Sequence, residues 1–135
     1  MLSNKPCGII FVVEDDEFIQ DLMKRYLSSL DVEIFFAADG IEAVKKYIRL
    51  LESNKRPDIV IMDINLPGKD GIEVTKDILF IDPDAVIYGF TAFYGTDKAE
   101  KLKDAGARKI IPRSVGFATF RKIIEDALAE QVVMQ

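Results

Sequence analysis

The stretch Pro57-Asp58-Ile59-Val60-Ile61-Met62-Asp63-Ile64-Asn65-Leu66-Pro67-Gly68-Lys69-Asp70-Gly71 constrains the chain more than any other. An unbroken apolar run, Ile59 to Met62, meets a single carboxylate, and turn formers follow at Pro67, Gly68 and Gly71. A continuous run of strand length fits a strand covered on both faces, because a half-exposed strand alternates. Asp63 then stands at the C-terminal mouth of that strand, the edge at which open parallel α/β sheets bind ligands. A surface aspartate opening a turn gives the same local pattern. The choice between the two depends on what else the chain brings to that edge.

A second run of the same kind, Ile9 to Val13, is halted by Glu14-Asp15-Asp16-Glu17. Phe18, Ile19, Leu22, Met23, Tyr26, Leu27 and Leu30 then recur with helical spacing and predict an amphipathic helix. Val32 to Ala37 reads as a strand and Asp39-Gly40 as a turn, with Ile41, Val44, Ile48 and Leu51 as the inner stripe of a second helix. A third helix, Ile72 to Ile81, is closed by Asp82-Pro83, since proline disfavours helix in the residue before it. Ala85 to Phe90 is a fourth strand ending at Thr91, and a short helix with Ala99, Leu102 and Ala105 inward follows a loop at Gly95-Thr96-Asp97. Lys109 to Pro112 is a fifth strand, its proline suited to an edge that can spare a ladder donor. Ser114 is expected to cap a last helix that buries Phe117, Phe120, Ile123, Ile124 and Leu128.

Strands alternating with helices in this way imply an α/β fold, a doubly wound five-stranded parallel sheet with helices on both faces and the strand order 2-1-3-4-5. A chain of 135 residues has room for one such domain, expected over residues 8–131 between short tails at 1–7 and 132–135. In that order strands one and three lie side by side at the switch point, so Glu14, Asp15 and Asp63 meet across one crevice.

Carboxylates gathered in one pocket repel one another unless they share protons or hold a cation. With no histidine in the chain and Cys7 the lone cysteine, a hard oxygen site for Mg²⁺, or Mn²⁺, is expected and zinc is not. A carboxylate can also attack phosphorus, so Asp63 is a candidate phosphoacceptor, and Thr91 at the end of the neighbouring strand can hydrogen-bond a phosphoryl oxygen. For Thr91 the plainer alternative is a β-branched residue finishing a strand. The acidic run after the first strand also suits a helix N-terminus, which is the whole of the role expected for Asp16 and Glu17. The balance of 18 basic against 23 acidic residues, a net charge of −5, argues against nucleic acid as a partner. No apolar run approaches the roughly 18 residues of a membrane span and no leader pattern is present, so a cytoplasmic location without membrane attachment is expected.

Together, Val12-Val13-Glu14-Asp15, the run from Asp63 through Leu66-Pro67 to Gly71, and Phe90-Thr91-Ala92 resemble a response-regulator receiver domain over residues 8–130. The resemblance implies a flavodoxin-like receiver fold. It also implies that Asp63 takes a phosphoryl group from a histidine kinase or phosphotransfer protein. By the same resemblance Asp15 is the main metal ligand, Glu14 acts through water, and Asp63 and the Asn65 backbone carbonyl complete the set. Thr91 and the Ala92 N–H would hold the phosphoryl group. Two positions depart from the family pattern. Its Lys-Pro falls on Arg113-Ser114, and the aromatic residue three positions earlier falls on Ile110. Arg113 is expected to replace the lysine, while Ile110 cannot perform a ring switch. Lys109 is no substitute, being about 13 Å further down the strand. A cis peptide at Arg113-Ser114 is not expected either, at a cost of ~3 kcal/mol.

The first functional expectation is therefore a stand-alone phosphoacceptor, not an enzyme, that signals to a downstream target protein. A haloacid-dehalogenase-type phosphatase also uses an aspartate nucleophile and Mg²⁺, but wants a second aspartate where Asn65 stands. A receiver-fold interaction module that signals without phosphate is the remaining alternative, suggested by Ile110 and Arg113.

Overall fold

The computed structural model describes residues 8–134, and residues 1–7 (Cys7 and the expected N-terminal tail) and 135 lie outside the described residues. The order of elements is β1 (Gly8–Val13), α1 (Glu17–Leu27), β2 (Val32–Ala37), α2 (Gly40–Glu52), β3 (Ile59–Met62), α3 (Gly71–Ile81), β4 (Ile87–Thr91), α4 (Asp97–Asp104), β5 (Lys109–Pro112) and α5 (Phe117–Met134). The strands form one parallel sheet in the order β2-β1-β3-β4-β5, as expected.

β1 and β3 are buried on both faces, and their successive side chains feed two different cores. Phe11, Val13, Val60 and Met62 pack with Ala43, Tyr47, Val74 and Ile78 of α2 and α3. Ile10, Val12, Ile59 and Ile61 pack with Met23, Leu27, Phe120 and Ile124 of α1 and α5. Period-two alternation is still present, but both faces are apolar, so the strands read as unbroken runs.

Register sets the height of the site. Val13 lies opposite Met62 and Ala37, so β1 and β3 end level with each other. The Asp63 N–H donates to the Val13 carbonyl at 3.1 Å and the Glu14 N–H to the Ala37 carbonyl at 3.0 Å, which extends the ladder just far enough to anchor both carboxylates. Three loops at this edge also contain aspartates that cap helices. Asp16 accepts from the Phe18 N–H, Asp39 from the Glu42 N–H and Asp70 from the Glu73 N–H, at 2.8, 2.7 and 2.9 Å. They stabilise helix starts and are not spare ligands.

Several inner faces differ from the expected ones. On α2 the buried residues are Gly40, Ala43, Tyr47 and Leu50, whereas Ile41 and Ile48 are 50% and 38% exposed. The roll is set by a backbone contact, because a Cβ on Gly40 would lie 1.8 Å from the Lys69 carbonyl oxygen. On α1 only Met23 and Leu27 are fully covered and Phe18 is 68% exposed, since the first turn starts at the rim of the sheet. Ser114 does not cap α5. It lies in a 3₁₀ turn, Arg113–Val115, and the Gly116 carbonyl accepts the helix's first bond, from the Phe120 N–H. Pro112 pairs with Thr91 on edge strand β5, and α5 runs to Met134. No peptide bond among the described residues is cis.

Candidate functional site

Glu14, Asp15 and Asp63 converge at the C-terminal ends of β1 and β3, each offering a carboxylate oxygen within 4.8 Å of the others. Glu14 is buried, 1% exposed, Asp63 is half-buried and Asp15 is exposed. The Ile64 N–H donates to Asp63 Oδ1 at 2.9 Å, which orients the carboxylate. Glu14 Oε2 accepts from the Asp16 N–H at 3.1 Å, and the Glu14 carbonyl accepts from the Gln20 side-chain amide. A Cβ on Gly71 would meet the Asp63 carbonyl oxygen at 2.0 Å, so only glycine lets α3 start this close to the acceptor strand.

Arg113 reaches the same crevice from the turn after β5. Its Nη2 donates to Glu14 Oε1 and lies 3.6 Å from Asp63 Oδ1, while the guanidinium sits over the Phe90 ring, 5.4 Å from its centre. Thr91, fully buried at the end of β4, accepts from the Phe93 N–H at 3.0 Å, and exposed Ala92 follows it. The Asn65 side chain, also exposed, accepts from Lys98 Nζ at 3.3 Å.

One guanidinium does not neutralise this crevice. Burial, and after it the Asp63 charge, push the Glu14 carboxyl up to about 7, with only partial relief from the Asp16 N–H and Arg113. Burial likewise raises Asp63 above the ordinary carboxylate range, opposed by Arg113 and by the Ile64 N–H. Carboxylates that are costly to ionise together are the physical signature of a cation site. All-oxygen donors of this kind fit a hard divalent ion.

Comparison with known proteins agrees with this architecture. The sequence profile described as the response regulator receiver domain matches residues 10–125. This chain belongs to the response regulator receiver family. The receiver is 33% identical over 120 residues to the chemotaxis protein CheY of Halobacterium salinarum, a match spanning 88% of this chain and 95% of the relative. It is 31% identical to a cyclic di-GMP phosphodiesterase of Thermotoga maritima, of which it spans 32%, so likeness there extends to about a third of that protein. A solved CheX-CheY-BeF₃-Mg²⁺ complex from Borrelia burgdorferi superposes with a TM-score of 0.79 at 26% identity, covering 88% of this chain and 87% of that one.

Within this receiver every residue expected at the site lies at the same edge of the sheet, in or beside the crevice. Two contacts had no signal in the sequence. Arg113 engages Glu14 as well as facing Asp63, and Lys98 crosses from α4 to Asn65. The strongest available hint was a basic residue in a helix's first turn, where acids are favoured, and that is too common to single out Lys98.

Proposed function

We propose that this receiver is the phosphoacceptor of a two-component relay, taking the phosphoryl group on Asp63. The observation that carries the reading is the meeting of Asp63 with Glu14 and Asp15 at one strand edge. The Ile64 N–H and the Arg113 guanidinium both face Asp63 Oδ1, so Oδ2 is the oxygen offered to phosphorus. The new bond is Oδ2–P, and the P–N bond to the donor phosphohistidine breaks as the imidazole leaves. Asp15, Asp63 and the Asn65 carbonyl would hold Mg²⁺, or Mn²⁺, with Glu14 acting through water. Such an ion supplies neutralisation of the phosphoryl oxygens. Thr91 and the Ala92 N–H would hold those oxygens from the β4 side, and Arg113 from the β5 side.

Receivers engage kinases or phosphotransfer proteins and downstream targets, and those are the partners proposed here in place of nucleic acid. A cytoplasmic location is proposed with them, and no helix among the described residues is long and apolar enough to cross a membrane. A phosphatase reading is disfavoured by Asn65, whose amide has no acidic proton to give a leaving group and is already bonded to Lys98.

The test is intact-protein mass spectrometry after acetyl phosphate and Mg²⁺. Wild type should gain one phosphoryl group, Asp63→Asn none, and Asp16→Asn, which alters only a helix cap, should label nearly as wild type. Equal labelling of Asp63→Asn overturns the assignment.

A further inference from the structure

We propose that the outer edge of β2 is a pairing edge for a second copy of this chain, and that Lys46 is the stopper that keeps it shut. β2 is the last strand on its side of the sheet, and β1 separates it from the acceptor strand β3. Apart from Glu33 its residues, Val32 to Ala37, are apolar, with neither glycine nor proline among them, and Val32 to Phe36 are only half-buried. An open strand of that composition is a template for a further strand.

Alternation along the strand shows which backbone groups are free. The Glu14 N–H donates to the Ala37 carbonyl, so the backbone groups of Ala37 point at β1, and those of Phe35 and Glu33 do the same. The N–H and carbonyl of Val32, Ile34 and Phe36 therefore point out of the sheet. Two copies set antiparallel about Ile34 bring Ile34 opposite Ile34 and Val32 opposite the second copy's Phe36, with every outward N–H facing an outward carbonyl. These side-chain pairs are apolar on apolar. Glu33 falls opposite the second copy's Phe35, so no like charges meet.

Lys46 stands in the way. Half-buried on α2, it donates from Nζ to the Phe36 carbonyl at 2.6 Å. That oxygen is the one the second copy's Val32 N–H needs, and two-fold symmetry repeats the conflict at the other end of the pair. A charged donor holds a carbonyl more strongly than an amide N–H does, and closing the pair over it would bury an ammonium group at each end. Lys55 supplies the contrast. It also reaches β2, but it pairs with the Glu33 carboxylate at 2.8 Å and leaves the backbone edge open.

The experiment is sedimentation equilibrium on the full chain as wild type, Lys46→Met, Lys46→Arg, Lys55→Met and the Lys46→Met/Ile34→Pro double variant. Lys46→Met, similar in length but uncharged, should form a dimer at least about tenfold more tightly than wild type, the ratio expected when a charged hydrogen bond no longer competes for a shared acceptor. Lys46→Arg keeps a cationic donor and should match wild type, and Lys55→Met should match it within about twofold. Ile34→Pro should return Lys46→Met to the wild-type value, and the fold accommodates it because the Ile34 N–H makes no bond to β1. A second readout is amide exchange in concentrated Lys46→Met. The Ile34 and Phe36 amides should slow by at least about tenfold relative to wild type, while that of Phe35, already bonded to β1, should not change. Equal association of wild type and Lys46→Met overturns the inference, as does a dimer that survives Ile34→Pro, a dimer in which the Ile34 and Phe36 amides stay fast, or assembly beyond two copies.

Discussion

Two arginine–carboxylate pairs at opposite edges of the sheet show what separates a structural ion pair from a functional one. At the N-terminal edge, Arg56 just before β3 donates to Asp82 from Nε and Nη2, at 2.8 and 3.2 Å, and the Tyr47 hydroxyl donates to the same carboxylate at 2.6 Å. At the C-terminal edge, Arg113 meets Glu14 with one prong while Asp63 stands alongside. Desolvation acts against ionisation in both places. At Asp82 the Arg56 and Tyr47 hydrogen bonds outweigh it and hold the carboxyl below its ordinary value, while Glu14, more deeply buried and with a second carboxylate beside it, is pushed up to about 7. The same residue types therefore make a satisfied cluster at one edge and an unsatisfied one at the other. What differs is the ratio of donors to charges, and only the unsatisfied cluster has free energy to gain from a ligand.

The largest expected effect would break this contrast outright if it failed. Mg²⁺ at a hundredfold excess over its dissociation constant should stabilise the protein by about 2.7 kcal/mol. In thermal melts Asp15→Asn should lose most of that gain and Asp82→Asn none of it. A melting temperature indifferent to millimolar Mg²⁺ would mean that the upper cluster is merely strained.

Next in size is the satisfied pair. Asp82→Ala removes the acceptor of the buried Tyr47 hydroxyl and should cost about 1–3 kcal/mol in urea unfolding. Tyr47→Phe added to it should cost less than it does alone, because the two side chains share one interaction. Additive losses would show that the hydroxyl bond contributes nothing. A smaller effect of opposite sign is expected at the upper edge, where Asp15→Asn removes a repelling charge and should raise metal-free stability by about 0.5 kcal/mol. If Asp15→Asn destabilises the metal-free protein instead, the crevice is not repulsive.

The smallest effect is on pH dependence. The folded-state value of Asp82 lies below its ordinary 3.8, so its contribution is complete above that pH and is lost as pH falls further, through the lowered value. The stability gap between wild type and Asp82→Asn should therefore narrow as pH falls below about 4. A gap that widens on acidification would reverse the assigned direction.

Legibility in the sequence follows the range of the interactions. β1 and β3 were readable because their burial on both faces is written into consecutive residues, and the strand order followed from right-handed crossovers. Their acidic ends were readable for the same reason, so Glu14, Asp15 and Asp63 came together from pattern alone. The α2 face was not legible in this way. Ile41, Val44, Ile48 and Leu51 form as regular a stripe as Gly40, Ala43, Tyr47 and Leu50, and periodicity cannot choose between two stripes one residue apart.

Local sequence by itself determined where the chain extends, where it coils and which strand ends carry acid, since these depend on neighbours a few residues away. Tertiary structure alone decided the roll of α2, through the approach of Gly40 to the Lys69 carbonyl. It also decided which partner each charge finds. Arg113 and Glu14 are 99 residues apart, and nothing at either position marks the other. Their pairing exists because β1 and β3 end level while β4 and β5 run past them to Thr91 and Pro112, and the Phe90 ring supports the guanidinium that reaches across. Side chains on separate loops meet only after the backbone has placed them, and long-range electrostatics is settled at that point.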